Sequence, residues 1–179
     1  MPLPMHPKLQ ELVEGLESQR KSVLNDFRGF SAQQLQHIPQ PGKWSAAEIL
    51  SHIITAERLS VAYMNKKVQG IDQAARTGLV QEAKVAILKI SQRLPGLKFK
   101  APKRVVENTT SYQDLAAIEA AWEASRLDLR RLLEQIPDRY IDRMIYKHPF
   151  AGYLNVQHAL IFFREHIVHH VPQLKKLLK

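Results

Sequence analysis

Cysteine is absent from this chain of 179 residues, and that absence removes three kinds of chemistry at once. There is no disulfide framework, no thiolate metal site and no cysteine nucleophile. Any transition metal would rest on imidazole, carboxylate or backbone oxygen. Glycine is scarce at seven residues, and strand signals are nearly absent, which argues against fibrous, disordered and β-rich classes. Long hydrophobic runs are missing too. The longest apolar patches, such as Ala159-Leu160-Ile161-Phe162-Phe163, are soon broken by charge and fall well short of the ~20 residues of a membrane span. The opening Met1-Pro2-Leu3-Pro4-Met5-His6-Pro7-Lys8 carries no apolar core of signal-peptide kind. The expectation is a cytoplasmic protein with no membrane partner.

Negative charge is missing from one stretch in particular. From Lys84 to Arg104 the chain holds Lys84, Lys89, Arg93, Lys98, Lys100, Lys103 and Arg104 without one carboxylate, within a net charge of +9. A nucleic-acid footprint would interleave such charge with aromatic rings for stacking, and Phe99 is the only ring here. The segment reads as a basic flank of a connection, with nucleic acid not expected as a partner.

What the sequence does contain is helical periodicity, with 45% apolar residues and a length that suits one domain over 1–179. A first helix is predicted over about Pro7 to Phe27, with Leu9, Leu12, Val13, Leu16, Val23, Leu24 and Phe27 as its apolar stripe. Ser31 to Gln34 reads as a capped single turn, and Pro39-Gln40-Pro41-Gly42 breaks the chain. The clearest start is at Ser45, an N-cap with Glu48 three residues on, and Trp44 is placed to staple onto Ile49. That helix should run to about Val68, with Ile49, Ile53, Ala56, Leu59 and Tyr63 inward and Gly70 as its stop. A weaker helix is predicted over Asp72 to Leu94, ended by Pro95-Gly96, then an irregular segment to Thr110. Ser111 is read as the cap of another long helix, with Asp114 at its third position and Leu115, Ile118, Trp122, Leu127, Leu132 and Leu133 buried. A loop with His148-Pro149 and Gly152 leads to a last helix over about Leu154 to Leu178. Four long amphipathic helices and a subsidiary one imply an all-α four-helix bundle. The long passage between the second and third long helices favours up-down-down-up order with one crossover carrying the extra helix.

Histidine is the informative residue. His52 falls on the inward stripe of the second long helix, where an unpaired ring would cost about 1–3 kcal/mol. The last helix carries Glu165-His166-Ile167-Val168-His169-His170, and residues four apart share a face, so His166 and His170 can grip one ion. Phe163 and Leu174 fall in phase with that pair, which turns it to the interior. Two ligands from one helix and one from another give the three-ligand, open-position arrangement of a catalytic metal site. Each piece also has a plain reading, His52 as a core histidine and the spaced pair as coincidence, and His169 could stand in for His170. His6, His37, His148 and His158 are read as surface or loop residues, with His148 nearest the mouth of the site.

The stretch Trp44-Ser45-Ala46-Ala47-Glu48-Ile49-Leu50-Ser51-His52 resembles the second-helix signature of the DinB-like superfamily. The closing His148-Pro149-Phe150-Ala151-Gly152-Tyr153-Leu154 and His166-Ile167-Val168-His169-His170-Val171-Pro172-Gln173-Leu174 are similar as well. The resemblance covers about Phe30 to Leu177. It implies a four-helix bundle with a divalent metal, often nickel or zinc, on His52, His166 and His170. It also implies a metal-dependent hydrolase or a transferase that uses a low-molecular-weight thiol, acting on a small-molecule substrate, in a chain that can pair as a homodimer. A non-catalytic, stress-related binding protein is the alternative. No general base is assigned, because helical phase turns both Glu165 and Glu57 away from the histidines.

Overall fold

A computed structural model of the chain describes residues 5–94 and 99–178. Among them are seven α-helices and one two-stranded hairpin. Helix α1 (Pro7–Asp26) starts with proline in its first turn, where the missing N–H costs nothing, and His6 Nδ1 accepts from the Lys8 N–H. It buries Leu9, Val13, Leu16, Val23 and Leu24, as the stripe predicts, while Leu12 is only half-buried. The short α2 (Ala32–Gln36) and the long α3 (Ala46–Lys67) each open on a reciprocal capping box, Ser31 with Gln34 and Ser45 with Glu48. Helix α3 ends in a 3-10 turn over Val68–Gln73 rather than at a glycine stop.

The connection between α3 and the next long helix departs most from expectation. Residues 74–78 are extended, because Arg76 bridges to Arg143 and the Thr77 N–H donates to the Asp142 carbonyl. Helix α4 therefore begins at Leu79, seven residues late, and runs to Arg93; the predicted stop at Pro95-Gly96 lies outside the described residues. The segment expected to be irregular contains α5 (Lys103–Asn108). Helix α6 (Leu115–Leu133) is capped by Asp114 and not by Ser111: the aspartate is extended and accepts from the Ala117 N–H at 2.8 Å. Either side chain can cap, and starting at Leu115 puts Ile118, Trp122, Leu129 and Leu133 on one buried face. In that phase Leu127 is 45% exposed, against expectation, and Arg126 is buried.

Strand signals are weak, yet Tyr146–His148 (β1) and Gly152–Leu154 (β2) pair antiparallel around a three-residue loop. Gly152 supplies the positive φ of +76° that such a loop needs at its end. Helix α7 (Val156–Lys176) follows directly, capped by Asn155. Helix α1 packs on α6 and α7, α3 packs on the same two, and α4 lies against α7. The core fills the space among α1, α3, α6 and α7, with Trp122, Phe27, Phe163, Leu50 and Ile53 buried in it. Helix α3 is buried nearly all round from Ala46 to Glu57, apart from Glu48, so its inward side is wider than one stripe, and Leu59 and Tyr63 are only half-buried.

Candidate metal centre

Three imidazoles meet where α3 crosses α7. His52 Nε2 lies 3.1 Å from His166 Nε2, and His170 Nε2 lies 3.2 Å from the same atom. All three rings are buried, and one ligand nitrogen from each lies within 4.8 Å of the others. The local reason is helical phase: Phe163, His166, His170 and Leu174 recur at three- and four-residue steps and face the core, while Ile49, His52, Ile53 and Ala56 do the same on α3. His169, one position away in phase, donates from Nδ1 to the Gln92 carbonyl on α4 and does not join the group.

The protonation states suit a cation. Burial pushes His52 down to about 4, and burial with the neighbouring His52 pushes His170 to about 3. His166 is held well below its ordinary value by burial and by the two rings beside it. At neutral pH all three are uncharged, the form that donates a lone pair to a metal. An imidazole nitrogen carries either one hydrogen or one in-plane lone pair. His166 Nε2 therefore can bond properly to one of its two nitrogen neighbours and not to both. A single cation taking all three lone pairs removes that conflict. At a zinc–nitrogen distance of 2.0–2.1 Å, tetrahedral ligands stand roughly 3.3 Å apart, close to the spacing found here.

The surroundings orient the rings. His170 Nδ1 lies 3.1 Å from Gln173 Oε1, an oxygen that only accepts, so Nδ1 carries the hydrogen and Nε2 keeps its lone pair. His166 stacks on Phe162 at 5.3 Å, and Trp44 sits against His52 at 5.1 Å. That contact with His52 holds the tryptophan ring, whose sequence position suggested a staple onto Ile49. Sequence reasoning quoted Gln173 without giving it a role; its i+3 spacing from His170 was the available signal.

Both nearby carboxylates are engaged elsewhere, as helical phase implied. Glu57 is buried, accepts from Trp122 Nε1 at 3.1 Å and pairs with Arg126 at 2.9 Å. Burial raises its pKa despite the guanidinium. Glu165 is also desolvated, which would raise it, but Arg93 and Arg164 outweigh burial and hold it below the usual range. Arg93 is thereby drawn out of the basic segment and onto α7. Two histidines expected near the surface are buried instead. His148 accepts two backbone N–H groups at Nδ1, from Phe150 and Ala151, and packs edge-on against Phe162, with burial lowering it to about 4. His158 Nε2 lies 2.9 Å from Glu82 on α4. His148 comes inward because the hairpin folds onto α7, and His158 because α4 packs on α7.

A cleft of about 370 Å³ opens beside His52, walled by α2, the start of α3, and residues 106–112. Among the described residues no helix is long and apolar enough to cross a membrane. No curated protein and no solved structure matches the chain. The sequence pattern of the DinB superfamily matches residues 15–174, which takes in α3, the hairpin and nearly all of α7. The chain, with its three buried histidines able to hold a metal ion, belongs to the DinB superfamily.

Proposed function

We propose that the chain is a metal-dependent enzyme, a hydrolase or a low-molecular-weight-thiol transferase, with one nickel or zinc ion on His52, His166 and His170. The observation that carries this reading is the convergence of three neutral imidazoles beside an open cleft. A divalent ion on three imidazoles supplies Lewis acidity and an activated nucleophile at neutral pH. The chain's own part is to hold and orient. Gln173 fixes the tautomer of His170, Phe162 and Trp44 shield the rings from water, and the cleft admits a small-molecule substrate along α3. We read α1, α3, α6 and α7 as a bundle in up-down-down-up order, supported by their mutual packing and by the long passage from α3 to α6.

Pairing of two copies belongs to the same proposal. The outer side of α4 exposes Val80, Ile87 and Ile90 at heptad spacing, an apolar seam of the kind that helices bury against each other.

One observation favours a second reading, a non-catalytic, stress-related metal- or ligand-binding protein: Glu57 and Glu165 are both held by arginines, which leaves the histidines without a free carboxylate as base. Metal analysis of untagged protein decides whether the centre exists. About one zinc or nickel ion per chain is expected, absent from a His52→Ala/His170→Ala variant. No metal after incubation with excess zinc and nickel would sink the site. Chelator-sensitive turnover of small electrophiles then separates the enzyme from a structural metal, whose removal costs stability alone.

A further inference from the structure

The cleft beside His52 has a chemistry that narrows its ligand, and this inference rests on the enzyme reading above. Its floor is one side of α3 and its cap, where Trp44, Ala47, Glu48, Ser51 and His52 recur at three- and four-residue steps. The opposite wall is Val106 of α5 with residues 109–112. That wall is tied in place from two sides. Gln36 Nε2 donates to the Tyr112 carbonyl at 2.6 Å, and Arg58 donates to the Asn108 carbonyl at 3.1 Å.

Three features bear on what fits. Among the described residues no lysine or arginine lines the cleft, and the one carboxylate, Glu48, accepts the Ser45 N–H at 2.7 Å. An anionic group entering it would lose water and meet no counter-charge from the side chains that line it, which is costly away from the ion. Ser51 is 2% exposed, and its Oγ has no hydrogen-bond partner, not even the carbonyl one turn back that helical serines commonly use. Trp44 is 39% exposed and offers a flat apolar face within the cleft.

We propose that the cleft binds an uncharged small molecule, with a flat or apolar part against Trp44 and a neutral hydrogen-bonding group on Ser51 Oγ. Its reacting end then lies toward His52. Uncharged esters and amides have this shape and polarity; a thiol whose carrier bears carboxylates does not. The residues that make this selection, Trp44 and Ser51, lie at the start of α3, and the wall at 106–112 closes the cleft opposite them.

Two probes of matched shape test the idea, acetanilide, which is neutral, and para-acetamidobenzoate, which is anionic. Each is titrated into isotope-labelled full-length protein, both zinc-supplemented and chelator-treated, with the Trp44 indole and Ser51 amide signals followed. Acetanilide is expected to shift both signals in both forms, with the benzoate binding at least about tenfold more weakly to the chelator-treated protein, where no ion can hold its carboxylate. Ser51→Ala should weaken acetanilide by about five- to tenfold, the worth of one hydrogen bond from a buried hydroxyl. Equal or tighter binding of the benzoate to the chelator-treated protein, shifts confined to other residues, no shift at millimolar probe, or an unchanged affinity in Ser51→Ala would each overturn the proposal. Failure of the metal centre shows separately, as zinc that does not bind while the cleft signals still respond.

Discussion

Acid should weaken the metal-free protein over a window set by its buried histidines. In the unfolded chain each imidazole takes up a proton as the pH falls through about 6.5. In the folded protein His52 and His148 do so only at about 4, because burial disfavours the charged ring. Between these values the unfolded state binds more protons, so stability is fully present above about 6.5 and declines as the pH falls toward 4. At about pH 5 each ring costs ~2 kcal/mol, and the two lie on separate elements, α3 and β1, so ~4 kcal/mol is expected from them together. That is a large part of the ~5–15 kcal/mol that holds a domain of this kind. Glu165 does not confuse the window. Its arginine partners hold it below the ordinary carboxylate range, so its contribution is lost only at lower pH. The assay is urea unfolding of chelator-treated protein, followed by helical circular dichroism at about pH 7.5, 6 and 5. A midpoint that stays put across that range would refute the reasoning, since it would mean the rings reach water in the folded state. Zinc at about a thousand times its Kd should add ~4 kcal/mol near pH 7.5, and the gain should shrink in acid as protons compete for the same lone pairs.

Two further outcomes follow from the side chains around the centre. Gln173→Leu removes the acceptor that fixes the His170 tautomer, so zinc affinity should drop about 10- to 100-fold in a competition titration against a zinc indicator. An unchanged affinity would make Gln173 a bystander. Arg126→Met strands the buried Glu57 carboxylate and should cost ~3–5 kcal/mol of unfolding free energy, whereas Glu57→Leu with Arg126→Met should cost much less. Equal losses in the single and double variants would show that packing, not charge, makes that pair matter.

The fold was legible where the signal is local. Ser45 and Glu48 bond each other within one turn, and Leu9, Val13 and Leu16 recur on one face, so α1 and α3 could be placed to within a residue or two. The errors lie where a distant segment decides. Residues 74–78 look helical by composition, but the bridge from Arg76 to Arg143 and the bond from Thr77 to Asp142 hold them extended. The hairpin is invisible for a similar reason. Each strand is three residues long, and its pairing is stabilised by His148 and Tyr146 packing on Phe162, which periodicity cannot report.

The metal centre was readable because its ligands obey helical phase. His166 and His170 share a face by spacing alone, and His52 falls on an inward stripe, so the sequence placed all three in the interior before any contact was known. Their meeting at one point is a matter of how α3 packs on α7, and the resemblance of the flanking sequence motifs to those of the family supplied that step. The charged core had a signal of the same kind that went unused. Glu57 lies four residues from both Ile53 and Val61, and Arg126 four from Trp122, so each is in phase with buried neighbours and needs a partner of opposite charge. Two in-phase charges of opposite sign on different helices are a contact prediction in their own right. The cleft is another matter. Ser51 and Trp44 are legible as neighbours of His52 on α3, but Tyr112 and Val106 reach the site only because the passage between α3 and α6 folds back over it. The ion's ligands therefore follow from helix periodicity, while the wall that makes a cleft beside them follows from long-range folding of a connection, and that is why the sequence pointed to a metal and not to a substrate.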